Sequence, residues 1–547
     1  MRFLPFFSWV FLALSPWSPS TVVAQTPSFT TTQVGTNNLV ARASDLHYGP
    51  DDHLWVAERA AGRVVRIDPA TAARTVLLTL PDIYSDASQD GLLSLALHDS
   101  FTLGKPFVYL SYTYQENNER RQRLARYTYQ APGSLTDPVT LLEDLPASND
   151  HNSGRLVFGP DAKIYCTIGD QGNNQNRNFC APIRSQDLPT QEEIDQENWI
   201  NYPGKILRMN QDGSIPADNP LLNGVRSHVF TYGHRNAQGL AFGSNGLLYS
   251  DEHGPNTDDE VNIINGGKNY GWPRVVGFRD DQAYDYCNWS SAADCASLTY
   301  VNNGCPAGVP LQEESTLTDT NYQDPIFVMF AVPDDYDYDN PACQNAYTCR
   351  PNVAPSSLLV YESDAIPDWS NSLLITSLKR GKVYRLQLDA SGTAIVGDTT
   401  EYFYTGNRYR DLVVAPDGKT FYAITDQSGN ITDQSGLNLI SGVRNPGAIL
   451  KFSLTPPVSV AGRKVIHDLR IWPNPAQREC FVELRSSGET NVPAELINSK
   501  GQRIPIATAF QSGVNRVSLQ HLPSGVYTLR LLTRQGFHYE RVVVRGG

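Results

Sequence analysis

An aspartate followed by a histidine, Asp150-His151, stands on a Gly-containing turn in the run DHNSGRLVFGPDAKIYCTIGDQGNNQ, ahead of a strand, a hairpin turn and a second strand. Imidazole can take up a proton near neutral pH, and an adjacent carboxylate favours its protonated form and fixes the ring. At the end of a rigid sheet such a pair is a candidate general base. A lone Asp-His pair more often belongs to a histidine that only satisfies a surface or core hydrogen bond. Further along, Arg408 and Arg410 in NRYRD alternate by two, which sends both side chains to one face of an extended strand. With Lys379 in SLKRG they could clamp carboxylates, because guanidinium forks suit bidentate contacts. Any one of these cations alone reads as a surface ion pair. Asp258-Asp259-Glu260 reads as an acidic loop, and the DDYDYDN run at Asp334 as solvated charge. No GxGxxG follows a strand to open a helix, which argues against a nicotinamide-binding unit, and no CxxC or HExxH spacing suggests zinc.

The elements that must hold these residues are short strands. Four segments share an apolar residue, a Pro/Asp/Asn/Gly turn and an alternating strand: YGPDDHLWVAE at Tyr48, FGPDAKIYCTIGD at Phe158, FGSNGLLYSDEHG at Phe242 and VAPDGKTFYAITD at Val414. Each is a hairpin signal. A second template recurs in GRVVRID at Gly62, GKILRMN at Gly204, GKVYRLQL at Gly381 and GAILKFSL at Gly447. Strand pairs repeated without helical periodicity predict radially arranged sheets, a β-propeller whose blades the irregular repeats do not count.

The composition agrees with a loop-rich all-β protein: of 547 residues, 40% are apolar and 18% charged, with Gly 41, Pro 36 and Tyr 27. A net charge of -13 argues against a nucleic-acid partner and is compatible with neutral substrates and divalent cations. Residues 1–24 read as a signal peptide: Arg2 opens it, Phe3 to Leu14 is apolar, and Val22-Val23-Ala24 offers a cleavage site. The apolar run is short for a membrane anchor. Export permits disulfides among the eight cysteines; Cys343 with Cys349 is the first candidate, then Cys166 with Cys180 and Cys287 with Cys295. The strand pattern is assigned to residues 25–457, TPPVSVAGRK supplies a linker at 458–465, and residues 466–547 form a small β-sandwich with WPNPA at Trp472 and LPSGVYTLRLL at Leu522.

Through the Asp150 to Gln175 run, Gln89 in SQDGLLSLALH, Arg235 in GHRNAQG and the Gly254-Pro255 turn, the chain from about Gln89 to Leu454 resembles the soluble pyrroloquinoline quinone (PQQ) dependent glucose dehydrogenases. The resemblance implies an all-β fold, a six-bladed β-propeller followed by the small C-terminal β-sandwich. It implies oxidation of the C1 hydroxyl of an aldose, a glucose-like pyranose, to the lactone by hydride transfer to PQQ. His151 would be the base with Asp150 in support, and Arg235 with Asn236 would meet the quinone carbonyl. Lys379, Arg408 and Arg410 would hold the cofactor carboxylates, and Gln89, Asp150 and Tyr347 would face the sugar. Ca2+ would rest on the carbonyls of Gly254 and Pro255. Glu260 and Tyr270 match one structural calcium site, and Asp280 and Glu314, with the backbone of Val276 and Phe278, match another. The implied partners are a small-molecule sugar and an external electron acceptor, with a homodimer left open.

Departures fall on the sugar side. Arg350-Pro351-Asn352 stands where the glucose enzymes have a Trp, Asn176 replaces a loop leucine, and CAPIRSQD is inserted at Cys180. A more polar wall suits a different aldose or a larger sugar. The C-terminal unit resembles the sorting domains of the type IX secretion system, which implies secretion machinery as a partner and a secreted or cell-surface protein exported through the periplasm; an adhesive or carbohydrate-binding sandwich is the alternative. Two other readings stay open for the large domain: a calcium-dependent lactonase, and a non-catalytic propeller that binds a glycan or a partner.

Overall fold

The computed structural model describes residues 27–86, 89–302, 304–455, 469–484, 492–498, 503–506, 509–533 and 536–545. The expected signal peptide and linker lie outside the described residues. The chain divides into two compact units, Met1–Thr455 and Pro456–Gly547.

Among the described residues the first unit contains six four-stranded antiparallel sheets, five of them built from strands in chain order. Their first strands are Ala43–Tyr48, Leu92–Leu97, Ser153–Phe158, Ala237–Phe242, Pro355–Tyr361 and Tyr409–Val414. These first strands neighbour one another in sequence order, and the sixth neighbours the first. Six apolar clusters lie between successive sheets: Trp55 with Leu95 and Leu110 joins the first to the second, and Leu46 with Val56, Tyr422 and Ile449 joins the sixth to the first. The sixth sheet takes its fourth strand, Phe29–Val34, from the N-terminal side of the chain, paired from Phe29↔Leu454 to Val34↔Ile449. The hairpin template marks the link between first and second strands. The same backbone bond closes it at Gly49 N to His53 O (2.7 Å), Gly159 N to Lys163 O (2.9 Å), Gly243 N to Leu247 O (2.9 Å) and Ala415 N to Thr420 O (2.8 Å).

One irregularity recurs in every sheet. The first and second strands shift register near the start of the first strand, at Ala43/Asp45, Leu92/Ser94, Ser153/Leu156, Ala237/Gly239, Pro355/Leu358 and Tyr409/Asp411. A bulge bends its strand and re-aims side chains. It lies at the end where first strands begin and second strands finish, and the loops there carry the chemistry.

In the second unit, the strands Leu469–Trp472, Glu479–Leu484 and Gly513–Ser518 form one sheet, and Arg503–Pro505, Ala494–Ile497, Gly525–Thr533 and Gly536–Val544 form another. Val482, Leu496, Phe510, Val517, Leu529 and Val542 make their common core.

Three disulfides join described residues: Cys343–Cys349, as expected, and Cys180–Cys295 and Cys287–Cys305. This corrects the other two expected pairings. Cys166 lies mid-strand in Ile164–Ile168, fully buried among Leu156, Leu207 and Met209, whereas Cys180 belongs to a loop packed against Trp289 and Tyr300. Burial pushes the Cys166 thiol pKa up, so it is a core residue.

Candidate active site

The loops that precede first strands carry Gln89, Asp150-His151, Arg235-Asn236, Asn352 and Arg408. The loops after second strands carry Arg59, Asp170, His253-Gly254-Pro255, Lys379 and Asp426. Sheet geometry therefore gathers residues far apart in sequence at one end.

His151 is 5% exposed, and its backbone takes the left-handed region at φ 45°. Its Nδ1 is 2.8 Å from Asp170 Oδ1, while Asp150 Oδ1 stands 3.8 Å from Nε2. The carboxylate that orients the ring is thus Asp170, nineteen residues on in sequence. Asp170 Oδ1 also accepts from Gly172 N (2.9 Å), and Oδ2 accepts from Trp272 Nε1 (2.8 Å). Asp150 instead receives the Gln89 side-chain amide and His151 N (3.0 Å). Gly169 lets two backbones touch: a Cβ there would be 2.0 Å from His151 O.

Arg235 closes a circuit around this histidine. Its Nη2 donates to Gln175 Oε1 (3.0 Å), whose amide nitrogen lies 3.3 Å from His151 Nε2, and its guanidinium stands 5.2 Å from the Trp272 ring centroid. The backbone N–H groups of Arg235 and Asn236 both donate to Glu252 Oε1. Asn236 Nδ2 and Arg235 Nε are buried without a hydrogen-bond partner among the described residues. Buried donors of this kind call for an acceptor, whether water or a ligand atom.

Beside them lies a cavity of about 260 Å³ lined by Gln89, His253, Tyr347 and the cations Arg59, Arg155, Arg408 and Arg410. Arg408 Nε (3.1 Å) and Arg410 Nη2 (2.9 Å) both meet Asp426 Oδ2. Burial opposes the charge on Asp426, but the guanidinium groups of Arg410 and Arg408 prevail and hold its pKa at about 2. Arg59 lines the same cavity, with Asp426 and Asp90 acting on its charge. Lys379 is buried, donates to Asn352 Oδ1, and has its ammonium 5.4 Å from the centroid of the Tyr347 ring. Burial pulls the Lys379 pKa down to about 7, opposed by Asp259. Tyr347 is 62% exposed and marks the open side.

The Gly254-Pro255 turn is pinned by Asp259, whose Oδ1 accepts from Gly254 N (3.0 Å) and whose Oδ2 accepts from Val353 N (2.6 Å) and Ala354 N (2.8 Å). A cavity of about 10 Å³, the size of one water or ion, is lined by Glu252, Glu260, Gly254, Tyr270 and Val276. Glu260 Oε1 accepts from Gly277 N (2.7 Å); burial, then Glu252, raises its pKa well above the carboxylate range. Tyr270 spends its hydroxyl on Ile263 O (2.6 Å), so only its carbonyl could serve a metal. Val276 N (2.8 Å), Asp280 N (3.3 Å) and Asp281 N (3.0 Å) converge on the buried carboxylate of Glu314, which burial pushes to about 8. Phe278 O accepts from Asp280 N (2.9 Å). No cluster of three or more His, Cys, Asp or Glu ligands occurs among the described residues. The donor sets are mixed carboxylate and carbonyl, which suit a hard cation.

One reading of an acidic run is corrected here: Asp258, Asp259 and Glu260 are all buried, the last two opening the third strand of the fourth sheet, Asp259–Ile263. The aspartates of DDYDYDN are exposed, as the sequence suggests, while Asp334 accepts from Ala283 N (2.7 Å) and Tyr336 and Tyr338 line a second cavity of about 660 Å³.

The glucose/sorbosone dehydrogenase family model matches residues 41–304 and 319–433. The chain belongs to this family. Quinoprotein glucose dehydrogenase B of Acinetobacter calcoaceticus is 44% identical over 421 residues, covering 75% of this chain and 88% of that protein. Aldose sugar dehydrogenase YliI of Escherichia coli is 26% identical over 390 residues, 70% of this chain and 86% of its own length. The PQQ-bound aldose sugar dehydrogenase of Streptomyces coelicolor shares the fold at TM-score 0.53 and 23% identity, over 78% of this chain and 100% of that one. Residues 470–545 match the secretion system C-terminal sorting domain.

The glucose/sorbosone dehydrogenase match contains His151, the arginines, Lys379 and the Gly254-Pro255 turn, while Glu314 falls between its two segments. Asp170, Gln175, Trp272, Arg59 and Asp426 escape a reading by sequence. Only the GDQG turn after the CTI strand hinted at Asp170; the others read as ordinary loop residues.

Proposed function

We propose that the chain oxidises the C1 hydroxyl of an aldose to the lactone with PQQ as hydride acceptor and calcium as its companion ion. The observation that carries this reading is the Asp170-oriented His151 beside a cavity ringed by cations. PQQ, when bound, accepts the hydride, and calcium polarises the quinone oxygen. Its three carboxylates suit Lys379, Arg408, Arg410 and Arg59, and its ring oxygens suit the free Asn236 amide and the Arg235 guanidinium. Gly254 and Pro255 would lend carbonyls to the catalytic ion, and Glu260 and Glu314, with the carbonyls of Tyr270, Val276 and Phe278 and the side chain of Asp280, would hold structural calcium.

On the protein side, His151 Nε2 takes the proton of the C1 hydroxyl while Asp170 stabilises the imidazolium through Nδ1. Gln89, Asp150 and Tyr347 hold the sugar, with Asp150 already fixed by Gln89. Arg235 steadies the negative charge that develops on the acceptor side. One proton leaves through His151 and two electrons leave as hydride, so the sugar loses two hydrogens in all.

The six sheets are read as the blades of a six-bladed propeller, with 25–457 as its extent. The C-terminal unit is read as a type IX sorting signal that sends the protein to the cell surface or beyond through the periplasm, after loss of residues 1–24. Purified protein loaded with PQQ and calcium is expected to reduce an acceptor dye with aldoses. Quinone bound without turnover on any sugar would instead favour a binding module, and hydrolysis of a lactone without quinone would favour a lactonase.

A further inference from the structure

We infer that Arg380 is a positioning residue that holds the cofactor clamp and the sugar-side loop together, so that one guanidinium sets the fit of both quinone and sugar. This rests on the sugar oxidation proposed above and gives that site a residue the clamp alone does not explain.

Arg380 follows Lys379 in the link between the second and third strands of the fifth sheet, Ser372–Ser377 and Val383–Gln387. It is buried. Among the described residues its guanidinium donates to three backbone carbonyls and pairs with no carboxylate: Nη1 reaches Gly436 O (2.6 Å), Nη2 reaches Arg350 O (3.1 Å) and Nε reaches Asn352 O (3.4 Å). Burying a cation without a counter-charge is costly, and what this position gains is a planar fork of donors that grips two loops at once.

The first loop precedes the first strand of the fifth sheet and carries Tyr347, Arg350 and Asn352. Asn352 is a double link: its carbonyl accepts from Arg380, and its Oδ1 accepts from Lys379 Nζ, whose ammonium stands 5.4 Å from the Tyr347 ring centroid. Asp259 holds the next two residues through Val353 N and Ala354 N, so residues 350–354 are pinned from both sides. The second loop follows the second strand of the sixth sheet and meets the clamp again where Thr432 N donates to Lys379 O (2.9 Å). Gly436 is shaped for its contact. Its φ is 79°, and a Cβ there would lie 2.0 Å from Arg380 Nη1, so a larger residue must displace the guanidinium. His151, Asp170, Arg235 and Trp272 stand on loops of the third and fourth sheets. Arg380 should therefore govern binding and leave proton transfer at His151 intact.

The test uses the full chain with calcium and compares wild type, Arg380→Met and Gly436→Ala. PQQ affinity is read by fluorescence titration, and the glucose dependence of quinone reduction by stopped flow at saturating quinone. Arg380→Met should weaken PQQ binding and raise the half-saturating glucose concentration by about tenfold each, while the rate at saturating glucose and its pH profile stay within about twofold. Gly436→Ala keeps the charge and should move both constants in the same direction; it carries the test alone if Arg380→Met does not fold. Both constants unchanged in a folded variant, even with a lowered Tm, would overturn the inference and make Arg380 a structural residue. So would a shift in one constant without the other, or a fall in the saturated rate with both unchanged. PQQ affinity that weakens in the variants while wild type oxidises no sugar would uphold the hold on the clamp and refute the oxidation, and no quinone bound by wild type would overturn both.

Discussion

Asp170 decides what His151 can do. A carboxylate 2.8 Å from Nδ1 fixes the tautomer that makes Nε2 the acceptor, and in the proposed reaction it would stabilise the imidazolium. Asp170→Asn should therefore lower kcat by roughly 10- to 100-fold with little change in PQQ affinity, measured by steady-state turnover and quinone titration. An unchanged kcat would remove Asp170 from the role. The arginines make a different prediction. Arg408→Ala and Arg410→Ala should each weaken PQQ binding by about tenfold or more, as expected for a charge-assisted hydrogen bond. Because the two share Asp426, the double variant should lose less than the product of the single losses. Full additivity in a fluorescence titration would contradict a shared cluster.

At the scale of elements, the recurring bulge and the hairpin turns set where these residues point. The hairpin turns were legible: the templates at Tyr48, Phe158, Phe242 and Val414 each fall on a link between first and second strands. The two-residue spacing of Arg408 and Arg410 was legible too, since strand geometry alone puts both on one face. Asp170, Trp272 and Asp426 were not, because each meets its partner only when loops of different strands are brought together. Cys166 shows the same limit: sequence gives neighbours along the chain, and burial of a strand decides which face a thiol takes. One element carries a pH signature. His228 precedes the strand Val229–Tyr232, donates from Nε2 to Gly213 O (2.9 Å) and accepts at Nδ1 from Tyr202 OH (3.0 Å), and burial pushes its pKa down to about 4, opposed by the Gly213 carbonyl. The folded value lies below the unfolded one, so the unfolded chain binds the proton first as pH falls. The associated stability is present above about pH 6.5 and is lost toward pH 4, by up to roughly 3 kcal/mol. Thermal unfolding across that range should show this slope in the wild type and a smaller one in His228→Gln; equal slopes would contradict it.

At the scale of the whole molecule, calcium should stabilise as well as activate. Burial raises the pKa values of Glu260 and Glu314, so these carboxylates lack a compensating charge in the protein alone. A cation that binds only the folded chain raises stability by about 2.7 kcal/mol at a hundred times its dissociation constant. Chelation should lower Tm, calcium should restore it in a concentration-dependent way, and Glu260→Gln should weaken the response. A Tm indifferent to calcium would exclude these sites. The family and its all-β fold were legible because many motifs recur in order, whereas the loop walls were not: the aspartates of DDYDYDN are exposed as read, but only the folded loops show Tyr336 and Tyr338 lining a cavity.

The most direct test of the account is stopped-flow reduction of bound PQQ by sugar, comparing wild type with His151→Ala and glucose with its C1-deuterated form. The account predicts quinone bound in both proteins, reduction in the wild type slowed by C1 deuterium, and reduction in His151→Ala at least about 100-fold slower. Reduction in His151→Ala as fast as in the wild type, or no quinone bound by the wild type in the presence of calcium, would contradict it.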